Sequence, residues 1–345
     1  NKKKVMKKLF FTSALLITAL FFTACSSDDD NNSPSNTIAD FVSNDANYSS
    51  LAAALEAADL VNVLDGSTRY TVFAPNNEAF AAFLSANGFD SLADVPVDVL
   101  TQVLLNHVIS GNVLSTDLET GYVKTNATFG DTTSNLSMYI NTADGVLING
   151  STSVTSADIT VDNGVIHAVN SVIGLPTIVT FATADSTFDT LVAALTREDE
   201  FTFVDLLSEA NDGTTSAPFT VFAPTNDAFS GLLSEGLGFD TLAGIPTATL
   251  EATLNTHVVD SANVLAIDLT DGMTVNTLGD DFTINTVPLA TFTDQRDRTG
   301  NIVITDGDTA LTAAATSTSS SGLVQLGAIS AIGTSGITET DTIAD

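Results

Sequence analysis

The run Tyr70, Val72 and Phe73 is apolar and β-prone until it meets Pro75, which cannot continue a central strand. A helix follows: Asn76, or Asn77 one place on, is a suitable cap, Glu78 suits the positive helix end, and Phe80 faces the core. The pattern returns 149 positions later, with Val221 and Phe222, then Pro224, Thr225 or Asn226 as cap, Asp227 and Phe229. Ahead of each copy lie apolar residues at helical spacing: Leu51, Leu55 and Ala58 behind Ser49 or Ser50 as cap, and Leu191, Val192 and Leu195 behind Asp189. After each copy a helix stops and restarts, at Gly88 and Pro96 and again at Gly238 and Pro246. The next helix, predicted over 97–109, sets Leu100, Val103, Leu104 and Val108 on one side and stops at Gly111.

From 113 to 169 the pattern changes to short alternating β-prone runs. Asn163-Gly164 between 159–161 and 165–169 is a strong hairpin signal. Helices first and strands after give an α+β domain, built twice. In the second repeat, strand-like 301–305 is followed by a charge-free Thr/Ala/Ser stretch, 309–320, which reads as a local insertion. Ser321-Gly322-Leu323-Val324-Gln325 then aligns with Asn163-Gly164-Val165-Ile166-His167, so Gln325 stands in for His167 in a worn copy. The last four residues, Thr342-Ile343-Ala344-Asp345, repeat Thr37-Ile38-Ala39-Asp40 and imply that the natural chain continues into a third repeat.

The segment Val-Phe-Ala-Pro-(Asn/Thr)-Asn-(Glu/Asp)-Ala-Phe resembles the first signature box of fasciclin (FAS1) domains, and 158–176 resembles the second. The Leu-rich helices ending in His107 and His257 match the place of the family's Tyr-His motif, with Asn106 and Thr256 where the family has Tyr. The resemblance implies two tandem domains, 37–176 and 177–333, each a β-sandwich or wedge covered by N-terminal helices. It implies structural signature roles for Phe73, Pro75, Asn77, Phe80, Asn163, Gly164 and His167, and for Phe222, Pro224, Asn226 and Phe229. It also implies cell-cell or cell-matrix adhesion, with residues 106, 107, 256 and 257 as a candidate adhesion or structural motif. Integrin recognition does not carry over, because the Tyr is missing.

Ahead of the repeats, Lys7-Lys8, the apolar run 9–22 and Thr23-Ala24-Cys25 form a secretory signal over 1–24. Cys25 at the cut resembles a bacterial lipobox and marks it for lipidation, an ordinary signal peptide with an incidental Cys being the alternative. Several acyl chains make a stable anchor. Met6 is the expected start. Ser26-Ser27-Asp28-Asp29-Asp30 resembles the export signal of Bacteroidota surface lipoproteins, although a solvated tether has the same composition. Residues 25–36 form a flexible acidic linker, and 334–345 a linker or the start of the third repeat. The expected location is the outer membrane, facing outward, with membrane contact through the lipid alone.

Charge narrows the partners. Five of the ten bases precede the cut, leaving five against 42 acids in the mature chain, which argues against nucleic acid. The acidity reads as solubility in a salty medium; Asp28 to Asp30 and Asp306-Gly-Asp308 lack a Ca²⁺-loop spacing. The chain holds no nucleophile elbow, phosphate loop, zinc motif or second Cys, so no catalytic residue, metal or cofactor is assigned. His107 and His257, at helix ends among apolar neighbours, read as structural residues bonded to a loop carbonyl; His167 in its hairpin strand also reads as structural. The sequons at Asn47, Asn126, Asn135 and Asn149 are incidental in a bacterial lipoprotein. The expected function is non-enzymatic, multivalent adhesion to a surface protein, glycan, extracellular matrix or another copy of the chain. The alternative is a ligand-capturing lipoprotein of an uptake system, with a pocket between the domains. The absence of Trp disfavours an aromatic sugar platform.

Overall fold

The computed structural model describes residues 36–128, 134–208, 218–234, 239–286, 301–306, 309–318 and 323–330. Cys25, the leader and residues 342–345 lie outside them.

The first domain opens with three short helices, α1 (Ile38–Asn44), α2 (Ser49–Ala57) and α3 (Val61–Asp65). Thr37 starts α1 through a reciprocal capping box: its hydroxyl accepts from Asp40 N–H, and the Asp40 carboxylate accepts from Thr37 N–H at 3.0 Å. Strand β1 (Tyr70–Pro75) follows, then α4 (Asn77–Ala86), α5 (Val97–Asn106) and β2 (Val108–Ser110). Asn76 caps α4 by accepting from Ala79 N–H at 2.8 Å. The remainder is β: β3 (Gly121–Thr128), β4 (Asn135–Asn141), β5 (Leu147–Ile148), β6 (Thr152–Val161) and β7 (Gly164–Val169).

The strands join in the order β2-β1-β7-β6-β5-β4-β3, with β1 parallel to β7. Alternation along β1 separates two cores. Val72 and Ala74 pack with Ile166, Ala168 and the helices, whereas Phe73 packs with Met138 and Ile140 of β4, Ile148 of β5 and Val169. Strands distant in hydrogen-bonding order are therefore in contact, so the sheet folds back on itself. Register shifts in β6, between Val154 and Ser156 and between Ser156 and Ile159, supply the bend. The result is a sandwich with helices over its β1/β7 side.

The second domain repeats this plan with α6 (Ile178–Ala184), α7 (Asp189–Leu195), α8 (Phe203–Leu207), β8 (Thr220–Pro224), α9 (Asn226–Ser234) and α10 (Thr247–Thr256). Its strands are β9 (Val258–Val259), β10 (Thr274–Val275), β11 (Phe282–Thr286), β12 (Asn301–Asp306), β13 (Thr309–Thr318) and β14 (Leu323–Ser330), in the order β10-β11-β12-β13-β14-β8-β9. Strand by strand this is the first sheet again.

Five local expectations need correction. The helix predicted over 97–109 ends at Asn106, because β2 pairs antiparallel with β1 and takes Val108 and Ile109 into the sheet. Neither Ser49 nor Ser50 caps α2, and Asp189 does not cap α7; the orphan N–H groups of Ser50 and Thr190 are met from a distance by Asn77 and Asn226, each at 2.8 Å. The hairpin turn is Asp162-Asn163, with Gly164 already paired to Val161. Gly164 is needed for closeness, since a Cβ there would meet the Tyr70 carbonyl and lie 2.7 Å from Ile38 Cδ1. Residues 309–318, expected within an insertion, are β13, the counterpart of β6, for which a run rich in β-branched Thr is suited. Finally, Phe73 pairs with His167 but Phe222 pairs with Val324, so Val324 and not Gln325 holds the register place of His167.

Candidate functional site

His107 sits where α5 gives way to β2, and its backbone carbonyl accepts from Phe73 N–H at 2.9 Å. Its Nδ1–H donates to Val103 O at 2.7 Å and its Nε2 accepts from Ile173 N–H at 2.8 Å. The first partner is thus the helix's own last turn, where a loop carbonyl was expected. Next to it, Asn106 Nδ2 donates to Gly174 O at 2.9 Å. Ile173 and Gly174 belong to the segment leading from β7 to the Thr177 cap of α6. Together, residues 106 and 107 hold the exit segment of the first domain in place. In the second domain the His257 carbonyl accepts from Phe222 N–H at 2.9 Å, and His257 Nδ1–H donates to Thr253 O at 2.8 Å. Thr256 turns its hydroxyl onto Ala252 O at 3.0 Å.

Burial settles what these groups can do. Asn106, His107 and His257 are 0%, 2% and 9% exposed and Thr256 is half-buried, so of the two roles expected at these positions, adhesive or structural, the three buried side chains are placed for the structural one. Each His lies inside its own domain, and the structure does not bring the two together. Burial holds His107 at about 4, against the bond to Val103 O, which favours the proton. It lowers His257 in the same way, against the bond to Thr253 O.

His167 is fully buried beside Phe73, ring centroids 5.5 Å apart. Its Nε2–H donates to Val113 O at 3.0 Å and its Nδ1 accepts from Asp158 N–H at 3.2 Å. Burial lowers it too, outweighing Val113 O and the Asp158 charge. Asp158, at φ +62°, spends its carboxylate on Ser115, whose N–H and hydroxyl it accepts at 2.7 and 2.6 Å. Ser, His and Asp are neighbours here, but the His nitrogens face backbone groups and the Ser faces the acid, so no nucleophile is activated. With both ring nitrogens of His107 and His167 committed, neither is free to move a proton. Among the described residues no three metal-ligating side chains converge.

The remaining motif residues are brackets and core. Asn77 accepts from Ser50 N–H and donates to Ala46 O; Asn226 accepts from Thr190 N–H and donates to Ser186 O, all at 2.8 Å. Asn163 accepts from Ile38 N–H and donates to Leu64 O and Gly66 O, tying the hairpin turn to α1 and α3. Phe73, Phe80, Phe222 and Phe229 are buried, and Pro75 and Pro224 end their strands. Another bracket escaped the sequence reading. Thr71 donates to Gly111 O and accepts from Val113 N–H, and Thr220 does the same with Ala262 and Val264.

The domain junction was also missed. Tyr122 of β3 donates its hydroxyl to Asp185 Oδ2 at 3.0 Å, and its ring meets Tyr139 at 5.0 Å and Phe181 of α6 edge-on at 5.5 Å. Tyr139 lies near enough to the same carboxylate to feel its charge and joins the core of the second domain. Asp185 is buried, and its other oxygen accepts from Thr187 N–H and hydroxyl. Burial first, then the Asp185 charge, raises both tyrosines. Gly150 lies so near α6 that a Cβ would stand 3.1 Å from Ala184 Cα. The available signal was that two of the four Tyr fall on neighbouring strands of the first repeat.

Comparison with known proteins gives a family model, the fasciclin domain, matching residues 46–176 and 186–325. The chain is 34% identical to protein sll1483 of Synechocystis sp. over 137 residues, 40% of this chain and 72% of that protein. It is 30% identical to transforming growth factor-beta-induced protein ig-h3 of Sus scrofa and 27% identical to periostin of Homo sapiens. Those alignments cover 66% and 70% of this chain but only 32% and 26% of the relatives' own lengths. A solved FAS1 domain pair from the insect cell adhesion molecule Fasciclin I matches with a TM-score of 0.39 at 16% identity, over 80% of this chain and 90% of that one.

Proposed function

The chain belongs to the fasciclin domain family, in two tandem copies, and on that premise we propose that it is a non-enzymatic adhesion module. The observation that carries the reading is the bonded junction: Tyr122, hydrogen-bonded to the Asp185 carboxylate and packed on Tyr139 and Phe181, holds two like domains in series. A stiff pair offers related surfaces at a fixed spacing, and repetition turns weak contacts into avidity. The three His, buried and lowered in pKa, support a structural role for the chemistry-bearing residues.

In this reading the leader directs secretion, Cys25 carries lipid, and 26–36 spaces the domains from an outer membrane, facing outward. The partner is a surface protein, a glycan, extracellular matrix or another copy of the chain; the excess of acids in the sequence argues against nucleic acid.

The test is binding of the soluble chain from Ser26 onward, as monomer and clustered on beads, to matrix, glycan arrays and the producing cells. Adhesion predicts binding that emerges on clustering. Beads that bind nothing, while the monomer retains a small ligand from culture medium, would replace adhesion with capture.

A further inference from the structure

We infer that a pocket inside the second domain, between α6, α7 and α8, binds an aliphatic chain carried on an uncharged or cationic head group. It has a volume of about 110 Å³, with Leu191, Leu207 and Val221 deep in it and Val192 on its wall. An apolar cavity of roughly 150 Å³ stays dry and takes up benzene, so this one suits the end of an alkyl chain.

Its rim differs from the same place in the first repeat. Thr183 and Thr196 stand where the first repeat has Ser43 and Glu56. Both Thr hydroxyls donate to their own helix, Thr183 to Val179 O and Thr196 to Val192 O, each at 2.8 Å. Their O–H donors are spent, so what they offer a ligand is methyl and oxygen lone pairs that can only accept.

The pocket is also braced. The connection from α7 to α8 runs over 196–202, whereas that from α2 to α3 runs over 58–60 only. Arg197 anchors the longer arm: its guanidinium donates to Leu242 O and Ile245 O, and to Glu198, each at 2.8 Å. An anchored arm keeps α8 from collapsing onto α6.

Charge selects the head group. The framing elements carry exposed Asp189, Asp199, Glu200 and Asp205, whereas Asp185 and Glu198 are engaged by Tyr122 and by Arg197, the one base among them. A fatty-acid carboxylate at the mouth meets like charge; an alcohol or an ammonium does not.

The experiment is thermal unfolding of the full chain with n-octylamine, n-octanol, sodium octanoate and n-butylamine. Saturable binding to the native state raises the midpoint. Octylamine and octanol are expected to do so at concentrations at least about tenfold below octanoate, with butylamine weaker than octylamine. Val192→Phe, which fills the pocket, is expected to abolish the shift, and Ala52→Phe, the same place in the first domain, to leave it. Thr196→Glu restores the first-repeat residue at an exposed rim position and is expected to weaken binding if Val192→Phe does not fold. Absence of a saturable shift, octanoate equal to octylamine, or an undiminished response in Thr196→Glu would each overturn the assignment.

Discussion

Tyr122 and Asp185 lie in different domains, yet the phenol hydroxyl of one stands 3.0 Å from the buried carboxylate of the other. A hydrogen bond to a charged group contributes about 1.5–3 kcal/mol, and this one couples the two folding units. Tyr122→Phe keeps the ring contacts with Tyr139 and Phe181 and removes only the bond. The expected result is that urea unfolding, followed by domain-specific probes, separates into two transitions with the second domain melting first. Superimposable curves in wild type and variant would show that the junction does not couple the domains.

His107 makes stability pH-dependent. Its folded value is depressed to about 4 from 6.5, chiefly by burial. Between those values the unfolded chain holds more protons than the folded one, so stability rises with pH across the window and is lost as pH falls through it. The full contribution is on the order of 3 kcal/mol. His107→Gln is expected to lower stability at neutral pH and to flatten its fall between about pH 6.5 and 5, above most carboxylates. Urea midpoints at several pH values provide the check; equal slopes in both proteins would refute it.

The paired Asn brackets have equivalent effects. Asn77→Ala leaves Ser50 N–H and Ala46 O without their partner, and Asn226→Ala does so for Thr190 N–H and Ser186 O. Each is expected to cost about 1–3 kcal/mol, with the loss confined to its own domain. Hydrogen exchange at α2 and α7 distinguishes this from a surface effect, which would leave protection unchanged.

Gly164→Ala tests the close approach of β7 to β1. The added methyl meets the Tyr70 backbone, which cannot swing away as a side chain tip would. A cost of about 1–3 kcal/mol is expected from overpacking. Gly174→Ala, where nothing lies within 4 Å of the added Cβ, is the control. Because Ala in place of Gly at an ordinary φ stabilises slightly through the unfolded chain, midpoints that fall equally in both would mean that the contact with Tyr70 does not set the effect.

Much of the fold was legible because it is written locally. The strand broken by Pro75, the Asn76 cap and the apolar stripe of α5 involve residues within a turn or two of one another. The errors came where a distant segment competed. Val108 and Ile109 continue a helical stripe, yet they pair with Thr71 and Val72 across more than 30 positions. The 309–318 run lacks strong alternation and became legible as a strand only beside β12 and β14. In the candidate site, the positions of His107 and Asn163 were visible, but their partners were not.

By itself, the sequence determined that the chain is built twice, with helices before strands and with the Phe, Pro, Asn and His positions in matching places. Short-range propensity and periodicity are properties of consecutive residues, and repetition makes them unmistakable. Only the tertiary structure decided that Asn163 reaches α1 and α3, that His107 and Asn106 grip Ile173 and Gly174, and that Tyr122 and Asp185 join the domains. Those bonds span dozens of positions. They exist because packing apolar faces brings particular polar groups out of water together, and each must then be satisfied by whichever partner the fold presents.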